Sequence, residues 1–342
     1  MKRQFLQFSL RTGLLVVTLV CITLSLWVVP AERQRRAVAA IEALGGHVRY
    51  VKPAVKKAFL RRWLPADYFD GIERADLGHT EIRDAGLAHL KEMSGLQTLV
   101  LNNTQVTDAG LAHLQGLTGL QTLSLDGTEV TDVGVADLQG LTGLQALSLD
   151  DIQITDAGLV HLQGLTGLQV LWLSNTQVTD AGLAHLQRLT SLQTLVLTNT
   201  QVTDAGVAHL QGLTGLQALL LDGTQVTDAG VARLQGLTGL KTLSLDDTQI
   251  TDAGLAHLQG LTGLQALLLD GTQVTDAGVA CLQRLTSLQD LYLINTQVTN
   301  TGLAHLQALT SLQHLWLNGT QVTDVGLAQL RKALPNCIID GP

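Results

Sequence analysis

The chain has 342 residues, 46% of them hydrophobic but only 3% aromatic, so its apolar content is nearly all Leu, Val and Ala, as in a core assembled from many copies of one small unit. Its net charge of −8 divides into a basic head, residues 1–80 with 13 Lys and Arg against 6 Asp and Glu, and an acidic body, residues 81–342 with 8 against 23. Such a body repels a phosphate backbone, which argues against nucleic acid as a partner, and the scattered Cys21, Cys281 and Cys337 supply neither a disulfide framework nor a zinc site.

Residues 1–31 have the layout of a signal sequence. Lys2, Arg3 and Arg11 precede an uncharged run containing Leu14, Leu15, Val16, Val17, Leu19, Val20, Ile22, Leu24, Leu26, Trp27, Val28 and Val29, and Glu32, Arg33, Arg35 and Arg36 follow it. As a helix, Leu14–Val29 spans ~24 Å, short of a ~30 Å hydrocarbon core unless flanking residues extend it. Two outcomes compete. One is an uncleaved signal anchor, a single-pass transmembrane helix with the N-terminus cytoplasmic and the rest extracytoplasmic; the other is secretion after cleavage near Ala31 in "VVPAE". The length of the run favours the anchor.

Residues 32–71 read as an N-terminal cap. "RAVAAIEALGG" predicts an Ala-rich helix stopped by Gly45 and Gly46, "HVRYV" a short strand, and "AVKKAFLRRWLPADYFDGI" an amphipathic helix carrying Phe59, Leu60, Trp63 and Leu64.

From Ile72 to about residue 333 one pattern recurs every 24 residues, with a degenerate first copy at Ile72 and ten more beginning at Leu96, Leu120 and onward to Leu312. In the copy "LQTLVLNNTQVTDAGLAHLQGLTG", Leu99 and Leu101 have the period of a strand and face inward. Val106 follows a turn, "TDAG" signals a helix start, and Leu111, Leu114 and Leu117 fall on one helical stripe. Seven buried apolar residues contribute ~10 to 20 kcal/mol, while ordering 24 residues costs ~24 to 48 kcal/mol of backbone entropy. A coil therefore cannot stand alone and must stack on its neighbours.

The motif LxxLxLxxTxV followed by TDAGLAHLxxL resembles the leucine-rich repeat family, in the 24-residue form found in many bacterial proteins. The resemblance covers residues 72–333 and leaves 334–342 as a C-terminal cap. It implies an α/β right-handed solenoid of about eleven coils, with a parallel sheet on the concave side and short helices on the convex side. The position usually filled by Asn or Cys is Thr here (Thr104, Thr128, Thr176), whose hydroxyl can also bond the turn backbone; Ile152 breaks that ladder.

Several tempting columns have structural explanations. The Asp of "TDAG" (Asp84, Asp108, Asp132 and onward) suits helix N-termini, where carboxylates meet free N–H groups and a favourable dipole, and the Gly beside it suits close packing between coils. The His column (His89, His113, His161, His185, His209, His257, His305) would space imidazoles ~8 to 10 Å apart, too far to share a metal ion, and it also accepts Asp137, Arg233, Cys281 and Gln329. No nucleophile with its base, phosphate loop or acid–base pair stands out, so the reading is non-enzymatic, with no cofactor and no metal.

Variation between copies separates scaffold from decoration. The outward residue between the two inward leucines runs Val100, Ser124, Ser148, Trp172, Val196, Leu220, Ser244, Leu268, Tyr292, Trp316, a column that holds every aromatic of residues 81–342. Neighbouring outward columns add Asp290 and His314, then Asp126, Asp150, Asp222, Asp246, Asp270 and Ile294. Exposed aromatics among polar groups have the composition of a binding hot spot. Trp172, Asp290, Tyr292, Ile294, His314 and Trp316, with the acidic strip Asp222, Asp246 and Asp270, are therefore the candidate contacts for a protein partner on the concave face. Cross-strand packing without a ligand competes with that reading, as does a structural role as a self-associating envelope or surface protein.

Overall fold

The computed structural model describes residues 10–23, 29–50, 71–93 and 95–341. The N-terminal run forms helix α1 (Leu10–Thr23), residues 24–28, which include Leu24, Leu26, Trp27 and Val28, lie outside the described residues, and a second helix, α2 (Val29–Ala43), follows. The fourteen residues of α1 extend about 21 Å. Among the described residues no helix is long and apolar enough to cross a membrane. Leu14, Leu15, Val16, Val17, Leu19 and Ile22 of α1 are all exposed.

At the N-terminal end of the stack, α2 buries Ala37, Val38 and Ile41 against the core that contains Ile72 and Leu77. It stops where the sequence places Gly45, at φ +87°, while the amide of Gly46 returns to the carbonyl of Ile41. Strand β1 (His47–Tyr50) then pairs antiparallel with β2 (Ile72–Asp76), closing the first edge of the sheet. The expected amphipathic helix with Phe59, Leu60, Trp63 and Leu64 lies outside the described residues.

Among the described residues thirteen strands form one sheet in chain order, all parallel except β1. From Thr98 onward each described strand has only three residues, such as Thr98–Val100 with Leu99 fully buried between two partly exposed neighbours. The register is repeat to repeat: Leu99 pairs with Leu123 and Leu123 with Leu147. A last strand, Ile338–Asp340, adds to His314–Trp316 and ends the sheet.

The helical half of most coils is tighter than the predicted stripe, while the last two, Asn300–Leu306 and Asp324–Ala333, are wholly α-helical. Asp108–Leu111 makes one α turn and Ala112–Leu114 continues as 3-10 helix. Leu111, Leu114 and Leu117 recur every third residue, the period that aligns side chains in a 3-10 helix, and all three are buried.

The Asp column acts between coils rather than on its own helix. Thr107 caps its helix by accepting the Ala109 amide at its Oγ, leaving the Asp108 carboxylate to bind the next coil. Asp108 accepts from the backbone N–H and the hydroxyl of Thr131, both at 2.7 Å, and the same pair of bonds runs from Asp84 through Asp276. These carboxylates explain the glycines: a Cβ on Gly134 would lie 2.5 Å from Asp108 Oδ1 and 3.0 Å from its Cα.

The turn after each strand follows equally local rules. Thr104 Oγ donates to the carbonyl of Leu101 at 2.7 Å, and Thr128, Thr176, Thr200, Thr224, Thr248, Thr272 and Thr296 repeat the bond while buried. Ile152 fills the same buried position without a hydroxyl to offer. One residue before this Thr, the backbone is left-handed, at φ +54° to +72°; the position is His79 in the first copy and Asn, Asp or Gly from Asn103 and Gly127 through Gly319.

Candidate functional site

The outward residues of the sheet form one continuous face because every strand is in register. The aromatic column aligns Tyr292 with Trp316 on adjacent parallel strands, and their rings stack with centroids 3.8 Å apart and planes 12° apart. In the neighbouring column His314 Nδ1 lies 2.7 Å from Asp290 Oδ1, and the imidazole stands 5.6 Å from the Trp316 ring. Tyr292, Trp316, His314 and Asp290 are all half-buried, so the cluster is packed within itself yet open on its outer side. Burial and the carboxylates of Asp290, Asp270 and Asp246 push the Tyr292 phenol above its ordinary pKa, keeping it a neutral hydrogen-bonding group.

Ile294 sits two residues beyond its strand, and its amide donates to Asp270 Oδ1 at 2.7 Å. That contact is one rung of the acidic strip, which lies in the turns and not on the strands proper. Each carboxylate accepts the backbone N–H of the next coil: Asp222 from Asp246 at 3.2 Å, Asp246 from Asp270 at 2.7 Å. Asp222 also accepts the hydroxyls of Ser244 and Thr198. Asp247 beside the strip belongs to the left-handed turn position, with φ +54°.

Charge accumulates along this strip. Burial first, and then the like charges of Asp270, Asp222 and Asp247, push Asp246 up to about 7, against the lowering effect of the Asp270 amide. Asp270 is raised by burial and by Asp247, with the Ile294 amide opposing. Among the described residues no group of His, Cys, Asp or Glu has the arrangement of a metal centre.

Trp172 occupies a separate place. It pairs in register with Ser148 on one side and Val196 on the other, and both of these are buried, at 7% exposure each. The sequence expectation that the whole column is displayed therefore fails at Ser148, Val196 and Ser244, which lie beneath larger neighbours across the strands. Trp172 walls a shallow hollow of about 320 Å³ lined also by Thr122, Leu123, Ser124, Asp126, Ser148 and Asp150. Burial, then the charges of Asp126 and Asp151, raise Asp150, while Ser174 opposes the shift. Ser148 was not singled out by sequence reasoning; its only signal is that it stands in a column next to the sole tryptophan of the middle coils.

On the opposite, helical side, the imidazoles of His161, His185, His209, His257 and His305 each meet a Gln of the preceding coil, as Gln163 with His185 at 2.7 Å and Gln187 with His209 at 2.9 Å. This is a second inter-coil ladder and uses the ring nitrogens structurally.

The sheet order, the repeat-long register and the threonine turns coincide with a match of residues 135–337 to the leucine-rich repeat region family. The chain belongs to the leucine-rich repeat proteins. This leucine-rich repeat chain has the same fold as an internalin of Listeria monocytogenes, with TM-score 0.58 and 24% identity over 78% of this chain and 86% of that one. Internalin C2 of the same species is 32% identical, covering 69% of this chain and 84% of that one, with TM-score 0.48. A leucine-rich repeat protein of Leptospira interrogans is 21% identical, covering 74% and 80%, with TM-score 0.46. No curated protein matches the chain. Leucine-rich repeat proteins are in general interaction scaffolds without catalytic activity.

Proposed function

We propose that this leucine-rich repeat chain is a non-enzymatic scaffold that binds a protein partner through the outward, concave face of its sheet. The observation that carries the reading is the Tyr292–Trp316 stack beside the His314–Asp290 pair. Four half-buried side chains hold one another in place, so little conformational entropy remains to be lost when a partner covers them. In its native cells, the full chain tagged at its C-terminus co-purifies a protein that the Tyr292→Ala/Trp316→Ala variant loses. Equal recovery by the variant removes the site assignment.

The proposal includes an N-terminal signal anchor that leaves the repeats outside the cytoplasm. Exposed Leu14, Leu15, Val16, Val17, Leu19 and Ile22 on α1 support it, as does the position of Ala31, which is packed within α2 instead of being presented in an extended cleavage segment. Reporter domains fused after Val51 and after Pro342 then both register outside; a cytoplasmic signal from either overturns this topology. The competing structural role, self-association of the acidic body or its ends, predicts oligomers that grow with concentration in sedimentation, where the scaffold reading predicts a monomer.

A further inference from the structure

Three serines share the aromatic column, and two have their hydroxyls engaged. Ser124 Oγ bonds Asn102 Oδ1 and Asp126 Oδ2, and Ser244 Oγ bonds Asp222 Oδ1. Ser148 is 7% exposed, yet among the described residues its hydroxyl has no hydrogen-bond partner. Ser244 shares Asp222 with the Thr198 hydroxyl and the Asp246 amide. The corresponding acceptor for Ser148 is Asp126, which is taken by Ser124 at 2.9 Å and by the Asp150 amide at 3.2 Å. The Ser148 hydroxyl, on a nearly buried residue, is open toward the hollow that Trp172, Asp126 and Asp150 enclose.

The charge at this place is also uncompensated. Asp126 and Asp150 stand one coil apart, and among the described residues neither forms a salt bridge; Lys91 and Arg188, the cationic residues that flank them in the sequence, lie in short helices of the opposite side. The hollow therefore combines an aromatic wall, two carboxylates and an open hydroxyl oxygen. We propose that it is a subsite for an arginine side chain of the protein partner. A guanidinium has a flat face for the indole and a fork of N–H donors that the Asp126 and Asp150 oxygens and Ser148 Oγ can accept together. An ammonium group offers no such plane, and a neutral group leaves the two carboxylates unpaired in a partly desolvated place. The inference rests on the scaffold reading but concerns a different part of the face from the Tyr292–Trp316 cluster.

The test uses the full chain and a triarginine peptide blocked at both ends, with the neutral tricitrulline peptide of the same shape as reference, in calorimetric titrations at low salt. Triarginine binds at least about tenfold more tightly than tricitrulline, and Trp172→Leu weakens it about tenfold. Leucine already stands in this column at Leu220 and Leu268, so the variant retains an apolar cover over its neighbours. Ser148→Ala, which removes only the open hydroxyl, weakens triarginine about threefold, and Tyr292→Ala/Trp316→Ala leaves it unchanged. Equal affinity of the wild-type chain and Trp172→Leu for triarginine overturns the subsite, as does tricitrulline binding as tightly as triarginine. Loss confined to Tyr292→Ala/Trp316→Ala moves the cation to the other cluster and overturns it too. If the chain binds no triarginine while the co-purified partner still depends on Tyr292 and Trp316, the scaffold reading stands and the arginine subsite falls.

Discussion

Replacing Asp246 by Asn should stabilise the protein at alkaline pH and do nothing in acid. In the folded chain burial raises this carboxyl from 3.8 to about 7, with Asp270, Asp222 and Asp247 adding to the effect. The folded state then holds a proton that the unfolded chain releases near pH 4, so folding stability from this group is full below that point and declines as pH climbs toward about 7. The rise from 3.8 to about 7 corresponds to at most about 4 kcal/mol, but the carboxyl is only half-buried, and solvent screening reduces this to about 1–2 kcal/mol. Asn keeps an oxygen for the Asp270 amide now held at 2.7 Å, and Asn102 and Asn318 already occupy this column in other coils. Urea unfolding of wild type and Asp246→Asn across pH 4 to 8.5 should show curves that meet near pH 4 and separate by about 1–2 kcal/mol at pH 8 in favour of the variant. A difference independent of pH, or a variant less stable at pH 8, refutes the electrostatic account of the strip.

Other substitutions test the ladders between coils. Asp108→Ala removes both acceptors from Thr131, leaving a backbone N–H and a hydroxyl without partners, and should cost about 2–3 kcal/mol by urea denaturation, while Asp108→Asn, which keeps one acceptor oxygen, costs roughly half. Gly134→Ala drives a Cβ toward Asp108 Oδ1 and should destabilise by about 1–3 kcal/mol, with faster hydrogen exchange concentrated in the coils that contain Asp108 and Gly134. At the C-terminal end, burial pushes the Cys337 thiol up to about 11. Its alkylation by iodoacetamide, followed by peptide mass mapping, should accordingly be slow at pH 8 and accelerate about tenfold per pH unit up to about pH 10, since the thiolate is the nucleophile. A rate already at its plateau at pH 8 contradicts that burial effect.

How far the sequence carries depends on where each residue's partner lies. The 24-residue period, the inward Leu99 and Leu101 and the threonine turn are legible because each reflects an interaction within one coil: apolar burial or a hydroxyl three residues from its carbonyl. The short α and 3-10 pieces were less legible, because leucines at spacing three fit a helical stripe and a tighter turn equally well. The Asn, Asp and Gly of the left-handed turn carry a signal in plain view, since those residues alternate at Asn103, Gly127 and Asp151.

The amino-acid pattern by itself therefore determined a stack of leucine-rich coils with an outward aromatic column and an acidic strip. Tertiary structure decided what those outward groups do. Asp108 meets Thr131 and not its own helix; Tyr292 stacks on Trp316; Trp172 stands beside a buried Ser148 whose hydroxyl has no partner among the described residues. Each depends on the residue one coil away, and a repeat records which side of a coil is apolar far more strongly than which side chain will lie against it across the ~4.8 Å between strands.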